Sequence, residues 1–543
     1  MKTFRASSFL FLLAGILLLS ACGKKKSPSH LKLVPQESIF VLGLNVKQLA
    51  TKSIRLDELL SEKNLREMGS SEQEAKKTAA TAKMVLGSGV DFLNNAYLFI
   101  NKKQHVGLAF ALENEKSFEE FLQNKEFWQE NAPDKQAFEV KSEKGIKYVY
   151  KKEVVLAWRD NVGLLYVTEN SVNKVDEQSV VQEISALFEQ QDSKNLEKQN
   201  EQFREANQQG SDVFAWLDLQ SLNALSPQMG VLGLNDMFFT FNTDFEKREI
   251  LSKAQLSMSE EYAKIVEQVS KEGIQSNLAG NIGIEKPTLA ISLALDLQGL
   301  KKVLEGRGLL SLFNLQLQSL NLTFDDIAQA LNGDILLAAQ SLNMQNGLPE
   351  LIISLGVNDE AAFDKLLTKV DEQKILVKKQ NVYEALGGSG YVVLKDKAAY
   401  ITPSKKLKDS ILNGESKLDK DFNKATGKAM MAAYFGESLA GEIALLSGSL
   451  APFSPSLSPS KESSVESSQF GINKIKGKVI FMQGNTQMKD KSRNALLVLI
   501  DEAKKSVKEL ESMPQQFDSF DGEEDIDSTD AAQEGALVEE DPL

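Results

Sequence analysis

The 543-residue chain has a net charge of −14, 42% hydrophobic and 25% charged residues, two histidines and a single cysteine. That is the make-up of a globular protein long enough for two or more domains. It excludes internal disulfides and zinc sites built from imidazole and thiolate. The charge is uneven: residues 514–543 hold eleven Asp or Glu and no Lys or Arg, so the remaining 513 carry only −3. A nearly balanced body with an acidic tail lacks the basic face that nucleic acid requires.

The chain opens with Lys2 and Arg5, an apolar run from Phe9 to Leu19, and Leu19-Ser20-Ala21-Cys22. A basic start, a short apolar core and small residues before a cut mark residues 1–21 as a secretory signal. The run falls well short of the roughly 20 apolar residues a spanning helix needs. The cut-site string resembles the lipobox of bacterial lipoproteins, which implies that Cys22 is lipidated and becomes the mature N-terminus. Two or more acyl chains hold a protein stably at a bilayer. Residues 22–30, with Lys24-Lys25-Lys26 and His30, read as the lipidated tether.

Next come elements that recur. Ile39–Asn45 and Leu289–Asp296 each read as a strand of branched residues ending at an Asn or Asp able to cap a following helix. Phe214–Asp218 and Met431–Glu437 give two more such corners. Leu93–Ile100 corresponds to Leu331–Ala338, and Val106–Leu112 to Leu351–Val357. Each second strand precedes an acidic helix start and a helix with Phe and Leu four apart, Phe118/Leu122 and Phe363/Leu367. The hairpins Val154–Thr168 and Tyr391–Thr402 correspond, with turns at Arg159-Asp160-Asn161 and Lys395-Asp396-Lys397. Late hairpins lead into closing helices, Glu260–Glu272 and Ala495–Glu511. The series predicts two tandem duplicated halves, 31–275 and 276–513, of α+β class with mainly antiparallel sheet and interposed helices. Residues 70–82 are expected to be helical and 191–200 to be a solvated helix or loop. Residues 447–468, with ten serines and three prolines, are expected to be a flexible insertion. Residues 514–543 are expected to be a disordered acidic tail.

Chemistry-bearing patterns are sparse. A Ser-His-Asp arrangement has only His105 to use, and beside Lys102-Lys103-Gln104 that residue reads as a surface-loop histidine. There is no phosphate loop or dinucleotide fingerprint, and Gly387-Gly388-Ser389-Gly390 precedes a strand, so it reads as a hairpin turn. Ser171/Lys174 reads as a helix cap, and Ser458/Lys461 lies in the serine-proline insertion. Asp325/Asp326 and Asp359/Glu360 sit at helix starts, where capping explains them. Asp525-Ile526-Asp527-Ser528-Thr529-Asp530 lacks the glycine and glutamate of a calcium loop. Trp128, Trp158 and Trp216 are too few for a carbohydrate platform, and the two in predicted strands, Trp158 and Trp216, are expected in the core. No catalytic residue, metal or cofactor is expected.

The lipobox, the opening Leu33-Val34-Pro35-Gln36-Glu37-Ser38-Ile39-Phe40-Val41-Leu42-Gly43-Leu44-Asn45 and the following Leu49 resemble an uncharacterised family of Bacteroidetes lipoproteins classed as a domain of unknown function. The resemblance implies no catalytic residues. The lysines after Cys22, in place of an acidic run, point to the periplasmic side of the outer membrane. The expected role is a non-enzymatic, membrane-anchored module that binds an envelope protein or an apolar ligand. The competing expectations are a carboxylate-based hydrolase with its site between the two halves, and an envelope-structural spacer. An enzyme predicts paired carboxyls of perturbed pKa in a polar pocket; a binding module predicts an apolar groove or patch.

Overall fold

The computed structural model describes residues 29–512 apart from 54–60, 68–70, 132–137, 152, 169–175, 192–193, 222–234, 276, 285, 342–349, 372–374, 415–417, 419–421, 423–425 and 438–462. The signal, Cys22, the acidic tail, Ser171/Lys174, Ser458/Lys461 and Asp525–Asp530 therefore lie outside the described residues.

Twenty strands are described. The first half contributes β1 (Ser38–Leu44), β2 (Ala96–Asn101), β3 (Val106–Ala111), β4 (Lys141–Glu143) and β5 (Ile146–Lys151). It continues with β6 (Val154–Arg159), β7 (Val162–Val167), β8 (Val213–Asp218), β9 (Phe238–Glu246) and β10 (Glu249–Ser257). The second half contributes β11 (Leu289–Ala294), β12 (Leu331–Ser341), β13 (Glu350–Val357), β14 (Leu376–Lys379) and β15 (Val382–Ala385). It continues with β16 (Tyr391–Lys395), β17 (Ala398–Thr402), β18 (Ala429–Gly436), β19 (Val465–Asn473) and β20 (Val479–Met488).

Local chemistry explains the corners. Asp160 and Asn161 take φ of 53° and 60°, and Asp396 and Lys397 take 53° and 59°. Two successive left-handed residues make the hairpin turn whose twist suits antiparallel strands. The side chain of Asn45 accepts the Gln48 N–H at the start of the helix Val46–Lys52. Asp296 does the same for Gly299 at the start of Leu297–Gly306. Asp218 instead holds a turn, accepting from Gln220 N–H and the Ser221 hydroxyl.

All strand pairings are antiparallel and link the twenty into one sheet. One side runs β4-β5-β6-β7-β3-β2-β1-β8-β9-β10. The other runs β14-β15-β16-β17-β13-β12-β11-β18-β19-β20 in the corresponding order. β10 and β20 pair along nine residues, Glu249↔Gln487 to Ser257↔Val479, and close the seam.

Helices cover the outer strands on both faces. One face of the first half packs Tyr97, Phe99, Ala157 and Tyr166 under the opening segment and the helix Glu177–Phe188. The other packs Leu108, Phe110, Trp158 and Leu165 under the helices Glu72–Leu86 and Glu115–Leu122. The second half repeats this with the helix Lys405–Asn413 on one face and Glu360–Val370 on the other. Trp158 and Trp216 are buried, as expected, at 0% and 1% exposure, and Trp128 is buried with them at 2%. At the seam each closing helix crosses over. Glu260–Val269 packs on Leu297–Gly306 of the second half, and Ala495–Ser512 packs on Val46–Lys52 of the first.

Three expectations change. His30 is no part of a tether: it sits in a 3-10 turn, Ser29–Leu33, fully buried against Tyr97, its Nε2 at 2.6 Å from the Asn95 carbonyl. The 191–200 stretch is only partly solvated: Asn195, Leu196 and Glu197 are buried, while Gln191, Lys194, Lys198 and Gln199 are exposed. The Gln36 N–H donates to the Lys194 carbonyl and the Leu196 N–H to that of Val34, so the stretch is pinned to the opening segment where the short helix Leu196–Gln199 begins. The serine-rich stretch is also shorter than 447–468, since β19 begins at Val465; Ser467 faces a neighbouring strand and is buried.

Candidate functional site

Side chains of antiparallel partners lie on the same face, so register alone traces a line across the seam. Leu42 of β1 partners Ala215, Ala215 partners Phe241, Phe241 partners Ala254, and Ala254 partners Met482. Met482 then partners Ile472, Ile472 Met431, and Met431 Leu293. The eight are all apolar and occupy eight adjacent strands, a band roughly 34 Å long at the usual strand spacing. Only Ala254 is fully buried; the other seven are half-buried. This contiguous and incompletely covered apolar strip is the candidate site.

The two closing helices flank this band on the same face. Tyr262, Ala263 and Val266 pack with Leu256, Ile480 and Met482 near one end of the β10–β20 pair. Ala495, Val498 and Leu499 pack with Ile250 and Met488 at the other. The reverse face of the same strands is polar: Lys253 partners Gln483 and both are exposed, while Gln469 partners Asn485. The alternation of apolar and polar positions thus assigns the band to one side of the sheet.

A second feature lies where the β9–β10 turn meets the segment after β20. Glu246, Lys247, Arg248, Glu249 and Lys491 line a shallow pocket of about 380 Å³, drawn from both halves. Glu246 and Glu249 are directly opposite across the hairpin. Each has its own partner: Lys52 Nζ donates to Glu246 at 2.9 Å, and Asn485 and Gln487 amides donate to Glu249 at 2.9 and 2.8 Å. Behind them Lys52 also donates to Asp212 at 2.9 Å, and the Phe245 N–H donates to the same carboxylate oxygen at 2.6 Å. Burial holds the Asp212 carboxyl above its ordinary pKa, the Phe245 N–H and Lys52 pulling the other way and Asp244 reinforcing the rise. Engaged carboxylates of this kind fasten the β9–β10 hairpin to the Val46–Lys52 helix.

His105 is not a surface residue. Its neighbours Lys102–Gln104 are exposed, but the ring is turned inward and only 6% exposed. The reason is Asn101, whose Oδ1 accepts the Lys103 and His105 N–H groups at 3.0 Å each and curls the loop. His105 Nδ1 then lies 3.2 Å from the Tyr166 hydroxyl and 3.4 Å from Glu183. Tyr166 donates to Glu183 at 2.7 Å and accepts from Asn101 at 2.9 Å. Burial and the Glu183 carboxylate push the phenol far above its ordinary value. Burial pushes Glu183 up, but Tyr166 and Lys103 outweigh it and hold the carboxyl below the usual range. The hydroxyl beside the ring is a phenol locked as a donor, not an activated serine, so the cluster ties the β2–β3 loop to the Glu177–Phe188 helix.

Other expected sites take structural places. Asp326 forms a capping box with Thr323, and Asp359 accepts the Ala362 N–H at 2.8 Å. Gly387 and Gly388, at φ of 82° and 72°, lie between the paired strands β15 and β16. Among the described residues, no group of three His, Cys, Asp or Glu is placed to hold a metal ion. No described helix is long and apolar enough to cross a membrane. The structure brings together what the sequence scattered: the band and the pocket join residues more than 200 positions apart, and only the alternation Phe239-x-Phe241-x-Thr243-x-Phe245 hinted at the former.

Among solved structures, crystal form I of TP0453 is similar at 11% identity, over 44% of this chain and 81% of that one, with a TM-score of 0.25. Crystal form III is similar at 9% identity, over 46% and 90%, with a TM-score of 0.26. No curated protein matches. Residues 31–436, from the buried opening segment to the end of β18, match the family described as Domain of unknown function (DUF4836), and the chain belongs to that family.

Proposed function

We propose that this is a lipoprotein of Bacteroidetes type, held through acyl chains on Cys22 at the periplasmic side of the outer membrane, and that it binds an apolar ligand or the apolar surface of an envelope protein without catalysing a reaction. The observation that carries the binding role is the half-covered apolar band from Leu42 to Leu293 across the seam. The corresponding strand orders on either side of that seam support an origin by tandem duplication, which makes the band a product of joining two sheets edge to edge. The anchoring rests on the sequence around Cys22: Cys22→Ser is expected to move the protein to the soluble fraction after washing, and retention in membranes would refute it. The band is tested by titrating an environment-sensitive naphthalene dye, displaced by long-chain fatty acid. Met482→Glu is expected to weaken dye binding at least ~10-fold by placing a charge in the strip; no dye binding by the unaltered protein, or equal binding by the variant, would refute the proposal.

One observation favours the hydrolase reading: the pocket between the halves has paired carboxylates, with the raised Asp212 behind them. Turnover of aryl glycosides or esters that vanishes in Glu249→Gln would establish it in place of the binding role.

A further inference from the structure

Three side chains of the first half meet where β1, β8 and β9 lie side by side. Leu44 of β1 partners Val213 of β8, which partners Thr243 of β9. Just beyond those positions stand the helix Val46–Lys52, Asp212, and Glu246 at the end of β9. The backbone of Asp212 is fixed: its carbonyl accepts the Asn45 N–H at 2.8 Å and its N–H donates to Asp244 Oδ1 at 3.2 Å. Lys52 Nζ lies 2.9 Å from Asp212 Oδ2 and 2.9 Å from Glu246 Oε1. The Asp212 side chain is wholly buried, while Lys52 is 21% and Glu246 46% exposed. Asp212 Oδ1, buried as well, has no hydrogen-bond partner among the described residues. A buried oxygen left unpaired is costly and calls for a reason, chemistry among them.

We propose that Lys52 and Asp212 condense into an intramolecular amide, with Glu246 as the catalytic residue that moves the protons. Burial lowers the Lys52 pKa, but hydrogen bonds and charge from Asp212 and Glu246 outweigh it and hold the ammonium above its ordinary value. The amine is therefore freed only as Glu246 takes a proton from it, and the bond forms slowly after folding. The freed Nζ pair attacks Asp212 Cγ, forming the C–N bond. Charge developing on Oδ2 meets the Phe245 N–H, already 2.6 Å away. The Cγ–Oδ1 bond then breaks, and Oδ1 departs as water with two of the three ammonium protons. Glu246 delivers them and ends as the carboxylate it began as; nothing is oxidised or reduced. Holding amine and carboxyl in fixed contact is what makes such a condensation feasible in water.

The second half offers a contrast. Lys271 Nζ lies 2.5 Å from Asp334 Oδ1, and that carboxylate is equally buried. There the other oxygen accepts the Gln275 N–H, and no second carboxylate reaches Lys271 among the described residues, so the pair stays ionic. The amide between Lys52 and Asp212 closes a loop of 160 residues in a chain whose single cysteine allows no internal disulfide. It restricts the unfolded chain as a disulfide does, and it fixes the helix on which Ala495–Ser512 packs.

The test is peptide mapping by mass spectrometry of the purified chain, fresh and after a day in its folded state. Trypsin is expected to release residues 48–55 joined to 205–247, lighter than the two peptides apart by one water and uncut after Lys52. The share of joined peptide should rise with age. Glu246→Gln and Lys52→Arg, each with an unchanged circular dichroism spectrum, are expected to give only the separate peptides. No joined peptide in the aged unaltered protein overturns the inference. So does a link that forms equally in Glu246→Gln, or a loss of water that maps to other residues, Lys271 and Asp334 included.

Discussion

In β2, β3, β6 and β7, 17 of 24 residues are buried, whereas in the four strands at the seam, β9, β10, β19 and β20, only 8 of 37 are. Both regions are antiparallel sheet from one chain, and the difference lies in what covers them. The outer strands have helices on both faces and read as nearly continuous apolar runs. The seam strands have two crossing helices on one face with an apolar strip between, and a reverse face that is solvated at β10 and β20 but covered at β9 by the helix Glu201–Gln208. Regions sealed on both sides hold most of the folding free energy, and incompletely covered ones are free to bind. The division places most of the stability in the outer strands and leaves the incompletely covered strip in the middle.

The largest expected effect breaks an outer core. Trp158 is fully buried and meets Phe118 edge to face at 5.3 Å. Trp158→Ala is expected to cost about 3–5 kcal/mol. Phe470→Ala, on the half-covered seam face, is expected to cost about 1–2 kcal/mol, because much less area leaves water there. Urea denaturation of both variants checks this; equal losses would mean that the seam is as well packed as the outer strands.

The next effect is a pH dependence belonging to the first outer region. Burial lowers the pKa of His30 from 6.5 to about 4, the Asn95 carbonyl only partly opposing it. The folded state keeps the ring neutral while the unfolded chain takes up a proton below pH 6.5. The stabilising contribution is therefore fully present above pH 6.5 and lost as pH falls toward about 4, on the order of 3 kcal/mol in all. His30→Phe is expected to flatten the fall in the urea midpoint between pH 7 and pH 5. An unchanged slope would show that the ring is not sealed in.

Smaller again is a change confined to the seam. A Cβ placed on Gly299 would lie 1.7 Å from the Gln268 carbonyl oxygen, which is backbone of the crossing helix. Gly299→Ala is expected to displace that helix at a cost of about 1–3 kcal/mol. Hydrogen exchange should quicken over residues 260–269 and stay slow in β2, β3 and β7. Faster exchange throughout would show that the seam and the outer strands unfold together.

The outer strands were also the more legible part of the sequence. Their hairpins are local, and Asp160-Asn161 and Asp396-Lys397 announce the turns by residue type. The seam is set by β10 meeting β20, more than 220 positions on, and alternation shows that a strand has an apolar side without naming its neighbour. The burial of His105 and His30 is hidden from the sequence for a related reason. A polar residue in a polar stretch gives no sign of burial, and the group each ring meets inside is distant in sequence: Tyr166 for His105, the Asn95 carbonyl for His30. The 191–200 stretch is held by backbone bonds to Val34 and Gln36, which side-chain polarity does not report.

The smallest expected effect tests whether charge or packing holds the crossing helices. Arg307 donates to Glu261 at 2.8 Å between the end of the Leu297–Gly306 helix and the closing helix, and both side chains are well exposed, at 45% and 76%. Such a pair gains little in water and costs the freedom of two long side chains. Arg307→Gln is expected to leave the urea midpoint unmoved and hydrogen exchange over residues 260–269 unchanged. The contacts of Ala263 and Val266 beneath the helix, together with the backbone bond from Asp296 N–H to the Val269 carbonyl, are enough to keep it seated. A measurable loss confined to the crossing helix would shift the description of the seam from a packed joint toward an electrostatic latch, and would make its opening sensitive to salt while the outer strands stayed indifferent.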